Sequence, residues 1–432
     1  MNYAEALAYV GGLESRGWKL GLERVRSFVQ ATGGGDRLEG PSAPTYFHVA
    51  GTNGKGSTTA FLQSALVELG EVTGAFFSPY VVDPRERVQI GRALISEAEF
   101  AEVVTELAPI AEAMAGDELG PITEFEFKTA VGFATWARHR CTAVALEVGL
   151  GGNYDATNII GTSYPIIVSI GLDHMHILGD TLGKIAFEKA GVIRSGRPVM
   201  IGEMPGEARD VIEAVARERG AEVVRYGREI VREGADVKTP FGTIRDLRPG
   251  LYGDRMEHNA ALAASALLAA GYEDHLAIRR GIAVTTIPGR FQVEQLAGSA
   301  GEKTVVLDGG HNPDAARHFV RAFAERYPNR TAAVVTGMLQ GHDPEAFFRE
   351  VRPIAREFHL SPIDFFRARD PQTLAEYGAG IPTTVHPSVE SALSSALESS
   401  AELVVVHGSN YLVGEVIRSE TFRRAQRSAK PD

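Results

Sequence analysis

The chain has 432 residues, 44% of them hydrophobic, one cysteine, and a formal net charge of −11. That length suggests two large domains or three smaller ones, and the composition can build a sizeable globular core. The acidic balance argues against a nucleic-acid partner, so any anionic ligand has to be held by local Lys or Arg, Mg²⁺ and backbone N–H groups.

The lone Cys141 cannot close an intrachain disulfide and sits in an apolar run, which fits a reducing compartment and a buried thiol. The opening Met1-Asn-Tyr-Ala-Glu-Ala6 lacks the basic and apolar stretches of a signal peptide, and no apolar run is long enough to span a bilayer. A cytoplasmic protein with no membrane partner is expected.

Residues 3–30 read as helical, broken around Gly17 and Gly21. The β-rich run Tyr46–Val49 then ends in a loop carrying Gly51, Gly54 and Gly56, and a helical run follows from Thr58 to Leu69. Strand, glycine loop and helix make a phosphate cradle. Glycines let backbone N–H groups turn toward one point, and the helix N-terminus adds partial positive charge. Lys55 can reach the outer phosphates and the Ser57 hydroxyl can hold Mg²⁺. The general pattern wants a hydroxyl directly after the lysine, and here Gly56 intervenes. Read alone, the stretch is equally a glycine-rich turn.

Further along, Val72–Phe77 reads as a strand ending at Ser78-Pro79, residues 96–115 as a helix, and Ile122 opens another helix that runs to Arg138. Cys141–Val148 is a nearly continuous apolar run, the signature of a buried parallel strand, with Glu147 near its end. Pro165–Ile170 is a second such run, followed by Asp173 and His174. Helix 181–193, strand 199–201, helix 206–219 and strand 222–225 continue the alternation. Residues 228–250 look like a β-rich insertion, and an alanine-rich helix spans 257–270.

Pro288-Gly-Arg-Phe291 reads as a domain junction. Beyond it come strand 304–308, helix 313–326, strand 332–336, helix 343–352, strand 355–360, helices near 371–377 and 388–398, strand 402–406 and helix 411–427. Alternating strands and helices predict parallel sheets with helices on both faces. The expected architecture is α/β. A P-loop-containing ATPase domain with a parallel sheet spans 1–288, and a smaller Rossmann-like α/β domain spans 289–432.

Ligands of open α/β sheets bind outside the carboxyl ends of the strands. Gly51–Ser57, Ser78, Glu147 and Asp173-His174 all follow strands. A carboxylate ending a buried strand is costly without a cation, and Mg²⁺ takes a few oxygen ligands besides water and phosphate. Taken singly, Glu147 also reads as half of an internal ion pair, His174 as a hydrogen-bonded loop histidine, and Asp308-Gly-Gly-His311 as a strand-to-helix turn.

Together these pieces have a specific order. The chain resembles folylpolyglutamate synthase/dihydrofolate synthase of the Mur ligase superfamily over nearly its whole length. The resemblance rests on Lys19-Leu-Gly-Leu-Glu-Arg24, His48-Val-Ala-Gly-Thr-Asn-Gly-Lys-Gly-Ser57, Ser78-Pro79, Glu147-Val-Gly-Leu-Gly-Gly152 with Asp155-Ala-Thr-Asn158, Leu172-Asp-His174, Glu188-Lys-Ala-Gly191, Pro288-Gly-Arg-Phe291, Leu307-Asp-Gly-Gly-His-Asn-Pro313 and Gly408-Ser409 with Tyr411.

The resemblance implies an ATP-dependent ligase that joins L-glutamate to dihydropteroate or a reduced folate through an acyl phosphate. It implies ATP contacts at Thr52, Asn53, Gly54, Lys55, Gly56, Ser57, Asn259, Arg290, Asp308 and His311, with the nucleotide gripped from both domains. Lys55, Lys189 and His311 are the implied catalytic residues. The implied ligands of two Mg²⁺ ions are Ser57, Ser78, Glu147, His174 and Lys189, the lysine as its carbamate. The pterin falls to Thr123, Phe125, Tyr154 and Asp155. Without the family, Lys189 reads as a solvated helix lysine paired with Glu188 or Asp180, and Phe125 as core. A monomer is expected.

Four departures bear on substrate range: Tyr80 where His is usual, Asn153-Tyr154 where Arg-Leu is common, His342 where Lys is usual, and Asn410 interrupting a Gly-Ser-Leu-Tyr form. Three other readings stand beside the folate ligase. One is a Mur-type ligase acting on another carboxylate, such as a nucleotide-linked peptide. The others are a nucleotide-regulated binding protein without turnover and a small-molecule P-loop kinase, which leaves the second domain unexplained.

Overall fold

The computed structural model describes residues 1–17, 20–116, 118–298 and 301–429, so Lys19 of the Lys19–Arg24 motif lies outside the described residues. The chain forms two compact units. The first comprises Met1–Pro79, Arg85–Gly250 and Met256–Thr285; the second comprises Tyr80–Pro84, Leu251–Arg255 and the chain from Thr286 onward.

The first unit is built on an eight-stranded sheet. From one edge its order is Ala93–Leu94, Val88–Ile90, Thr73–Phe76, Ala143–Glu147, Thr45–Ala50, Tyr164–Ile167, Val199–Ile201 and Val223–Arg225. The strands from Thr73–Phe76 onward run parallel. The two before it are an antiparallel edge that the alternation in the sequence did not suggest. Successive side chains on a strand point to opposite faces. On Thr45–Ala50, Tyr46 meets Phe133, whereas Phe47 stacks on Tyr164. Phe47 also meets Tyr272 from outside the sheet, so both faces of this central strand are covered and Tyr46–Ala50 is buried throughout, His48 included. Cys141 is buried at the foot of the neighbouring strand. The insertion at 228–250 forms a small antiparallel sheet of Val231–Glu233, Asp236–Thr239 and Gly242–Ile244.

The second unit has a six-stranded sheet, in the order Gln292–Gly298, Gly301–Asp308, Leu403–His407, Ala332–Thr336, Ala355–Leu360, Thr383–Val385. All neighbours are parallel except the first pair. Strand Gln292–Gly298 pairs antiparallel along the whole of Gly301–Asp308, although the sequence suggests only a junction there. Only Leu296 in it is fully buried, and Gln292, Glu294 and Gln295 interrupt it, so it lacks the apolar run by which a buried strand is recognised.

Several boundaries differ for local reasons. The run read as strand to Ile170 leaves the ladder after Ile167, because the Ser169 carbonyl accepts from Thr52 N–H instead. The cradle helix starts at Lys55 rather than Thr58. The alanine-rich helix begins at Asp254, so Asn259 lies inside it. Where the sequence suggests one helix over 411–427, there are two, Asn410–Arg418 and Glu420–Ala429. Ser419 between them is extended, and its hydroxyl accepts from Phe422 N–H at 3.1 Å, starting the second helix as a cap does. Among the described residues, no helix is long and apolar enough to cross a membrane.

Candidate active site

The turn after Thr45–Ala50 is locked to the next strand. Thr52 N–H donates to Ser169 O at 2.8 Å, Asn53 N–H donates to Ser169 Oγ at 3.0 Å, and Ser169 Oγ–H returns a bond to Asn53 O at 2.9 Å. Gly54 precedes the helix Lys55–Glu68 with φ of 86°, a left-handed conformation. A Cβ there would come within 2.8 Å of Val168 Cγ1 and 2.9 Å of Asn259 Nδ2, so both the backbone angle and the space require glycine. No side chain caps this helix, and its N-terminal dipole is directed at the turn.

Two ammonium groups meet the same turn. Lys55 Nζ donates to Gly51 O at 3.2 Å and to Thr52 O at 3.4 Å. Lys189, buried on helix Leu182–Ala190, donates its Nζ to Gly51 O at 2.9 Å. Burial, and next the Lys55 charge, pull the Lys189 ammonium down from 10.5 to about 7, against the opposing pull of Asp173 and Asp155. Lys189 is thus no solvated helix lysine. Asn259 is 2% exposed, and its Nδ2 has no hydrogen-bond partner although it faces Gly54. An orphaned buried amide is costly, and a ligand oxygen at the turn would satisfy it.

Glu147 closes its strand beside this turn. It is 4% exposed, its Oε2 accepts from Ser78 N–H at 2.9 Å, and a Cβ on Gly56 would stand 3.6 Å from that oxygen. The Ser78 hydroxyl accepts from Arg87 Nη1 at 3.2 Å, and Ser57 is buried in the first helical turn. His174 lies on the loop after Tyr164–Ile167, just before the short helix Met175–Leu178, in a left-handed conformation with φ of 49°. Its N–H donates to Asp173 Oδ1 at 2.9 Å. Among the described residues, no three His, Cys, Asp or Glu side chains converge as a metal cluster. Glu147, Ser57 and Ser78 nevertheless offer the hard oxygen donors that Mg²⁺ takes in small number, the rest coming from water and phosphate. The residues present fit such an ion.

A cavity of about 220 Å³ opens between Gly21, Ser78, Gly149 and the four residues Thr123, Phe125, Tyr154 and Asp155. Thr123 caps helix Glu124–Arg138, and its hydroxyl donates to Glu126 Oε2 at 2.8 Å. Glu126 is itself paired with Arg24 at 2.7 Å in the interior. Phe125 meets Phe76 edge to face, and the Arg87 guanidinium lies 5.7 Å from its ring centre. Tyr154 is half exposed.

Asp155 has its carboxylate engaged from within. Oδ2 accepts from Leu150 N–H at 2.8 Å, and Oδ1 accepts from Thr157 N–H at 3.0 Å and from the Thr157 hydroxyl at 2.5 Å. Burial still raises its carboxyl above the usual value, with those bonds opposing. Thr157 Oγ in turn meets His48 Nε2 at 2.8 Å, and burial holds the His48 ring well below its ordinary range, hence neutral. His48 and Thr157 were not singled out from the sequence. Both stand inside quoted motifs, but only the fold shows them in one chain with Asp155.

In the second unit, Asp308 ends its strand in register with His407. Asp308 Oδ1 accepts from Gly310 N–H at 2.8 Å and Oδ2 from Phe291 N–H at 3.1 Å. Burial pushes this carboxyl up, but His407, Arg290 and the Gly310 N–H outweigh it and leave it below its ordinary 3.8. His407 stacks between Phe319 and Phe347, with ring centres 4.4 Å and 5.2 Å away. Asn312 caps helix Pro313–Arg326 through Ala315 N–H, with Pro at the first position. The His311 ring lies 4.7 Å from His342, one of the departures noted above. Arg290 Nη1 donates to Asn410 Oδ1 at 2.9 Å.

Comparisons with known proteins bear on all of this. Residues 289–410 match the family model for the Mur ligase, glutamate ligase domain. The dihydrofolate synthase/folylpolyglutamate synthase of Bacillus subtilis (strain 168) is 32% identical, covering 96% of this chain and 98% of its own. The protein of that name from Escherichia coli (strain K12) is 34% identical, covering 98% of this chain and 96% of its own. The solved structure of E. coli FolC in complex with DHPP and ADP superposes with a TM-score of 0.86 at 32% identity, over 98% of this chain and 99% of that one. Mycobacterium tuberculosis folylpolyglutamate synthase, complexed with ADP and AMPPCP, gives 0.87 at 25% identity, over 96% and 98%. With identity at this level along almost its full length, the chain belongs to the dihydrofolate synthase/folylpolyglutamate synthase family of Mur ligases.

Proposed function

We propose that the chain is an ATP-dependent ligase that adds L-glutamate to dihydropteroate, to a reduced folate, or to both, releasing ADP and phosphate. The observation that carries this reading is the turn Gly51–Gly54. Lys55, Lys189 and the orphaned Asn259 amide all converge on it, beside the buried carboxylate of Glu147.

A carboxylate resists attack by an amine until one of its oxygens becomes a good leaving group. Transfer of the terminal phosphoryl of ATP onto that oxygen makes an acyl phosphate. The glutamate amine then adds to the carbonyl carbon, and the C–O bond to phosphate breaks. Charge on the moving phosphoryl is met by Lys55 and by the N–H groups at the start of its helix. Mg²⁺, held by Ser57, Ser78, Glu147 and His174, would neutralise the phosphate oxygens. Lys189 can join that set only as a carbamate; a neutral amine is needed to add carbon dioxide, and burial makes one available near pH 7. Thr52, Asn53, Gly54, Gly56 and Asn259 complete the nucleotide contacts of the first unit. Arg290, Asp308 and His311 are those of the second, and His311 joins Lys55 and Lys189 as a catalytic residue. The cavity at Thr123, Phe125, Tyr154 and Asp155 suits a flat pterin, which can stack on an aromatic ring. A monomer in the cytoplasm completes the reading.

The test supplies ATP, Mg²⁺ and L-glutamate and varies the acceptor among dihydropteroate, tetrahydrofolate and a UDP-muramoyl peptide, following ADP release and product mass. Turnover with a pteroyl acceptor is expected. Turnover with the muramoyl peptide alone would move the assignment to a Mur-type ligase of other substrate class, and none with any acceptor would make the chain a binding protein.

A further inference from the structure

Asn410 stands where the family form has an apolar residue, and it is buried, at 5% exposure, in the first turn of helix Asn410–Arg418. A buried amide at such a position needs a partner, and its Oδ1 accepts from Arg290 Nη1 at 2.9 Å. The donor is a guanidinium, which has no acceptor, so the side-chain oxygen must be the atom that faces it.

Gly309 completes the arrangement. A Cβ there would lie 1.8 Å from Asn410 Oδ1 and 2.9 Å from Arg290 Nη1, so the pair exists only because position 309 has no side chain. Arg290 Nη1 also donates to Gly289 O at 3.2 Å. Its Nε and Nη2 make no hydrogen bond among the described residues. One arm of the guanidinium is therefore tied to the protein. The other edge keeps two parallel donors, the fork that binds phosphate oxygens in bidentate fashion.

We propose that Asn410 is a positioning residue that fixes the Arg290 guanidinium and leaves its Nε–Nη2 edge free to take a pair of phosphate oxygens of the nucleotide. The proposal rests on the reading of Arg290 as a nucleotide contact. With Asn410 in place, the long arginine side chain loses its rotamer freedom in folding rather than at binding, so the nucleotide meets a preorganised donor pair. Replacement by an apolar residue of similar volume removes the acceptor and leaves Arg290 to find its bound rotamer each time.

Steady-state kinetics of Asn410→Leu, Arg290→Ala and the double variant test it, with affinity for a non-hydrolysable ATP analogue and thermal unfolding measured alongside. Asn410→Leu should raise the KM for ATP and weaken the analogue roughly tenfold, the size of a charge-assisted hydrogen bond, with the KM for L-glutamate unchanged. In the Arg290→Ala background, Asn410→Leu should add nothing. A normal KM for ATP in Asn410→Leu, with a raised one in Arg290→Ala, would overturn the proposal while leaving the role of Arg290 intact. An additive double variant would also overturn it, since Asn410 would then act on something other than Arg290. A normal KM for ATP in Arg290→Ala would remove the reading beneath it. Should Asn410→Leu fail to fold, Asn410→Ser, too short to reach Arg290, carries the same expectations.

Discussion

Asp308 shows how single residues here are set by what surrounds them. Its carboxylate gathers two backbone N–H groups and lies beside His407 and Arg290, which together hold it below its ordinary 3.8 despite burial. A depressed carboxyl favours the folded state wherever it is ionised. This stabilisation is present above about pH 4 and is lost as the pH falls through the folded value. Asp308→Asn should therefore be less stable than the parent at pH 7, and the gap should narrow as the pH is lowered from 7 to 3. Urea unfolding at the two values measures the difference, and an equal gap at both would show that the charge contributes nothing. From sequence, Asp308 was legible as a strand-end acid, but His407 was not legible as its neighbour. The two are almost a hundred positions apart, and only the parallel register of their strands aligns them. Lys189 was legible only by resemblance, since its helix position alone reads as solvated.

The same limit holds for whole elements. Buried parallel strands carry continuous apolar runs, so Ala143–Glu147, Ala332–Thr336 and Leu403–His407 could be read directly. Edge elements could not. Val88–Ile90, Gln292–Gly298 and Thr383–Val385 are short or half-exposed, and their pairing is decided by the neighbouring strand rather than by their own pattern. The cradle could be read as strand, turn and helix, but its precision comes from Gly54, whose left-handed backbone sets where the helix begins. Gly54→Ala would force a Cβ onto Val168 and Asn259 and strain the backbone by about 1–2 kcal/mol. The helix Lys55–Glu68 is anchored by burial along its length, so the fold should survive with a modest drop in melting temperature. Nucleotide affinity should fall at least tenfold, the turn having moved against Asn259. Titration with an ATP analogue reports this, and unchanged affinity would show that the turn does not cradle the phosphates.

For the molecule as a whole, alternation of strands and helices was enough to indicate two α/β units, and motif order was enough to indicate the family. What the order of motifs left open is the chemistry at each position. On the proposed function, the acid, hydroxyls and ammonium groups around Gly51–Ser57 serve to move a phosphoryl group onto an acid. Oxygen transfer tests it most directly. Dihydropteroate or another competent acceptor labelled with ¹⁸O in its carboxylate is turned over with ATP and L-glutamate, and the released phosphate is examined by mass spectrometry. An acyl phosphate requires that one labelled oxygen leave with phosphate, so singly labelled phosphate is the predicted result. Phosphate free of label, with amide product formed, would contradict the account.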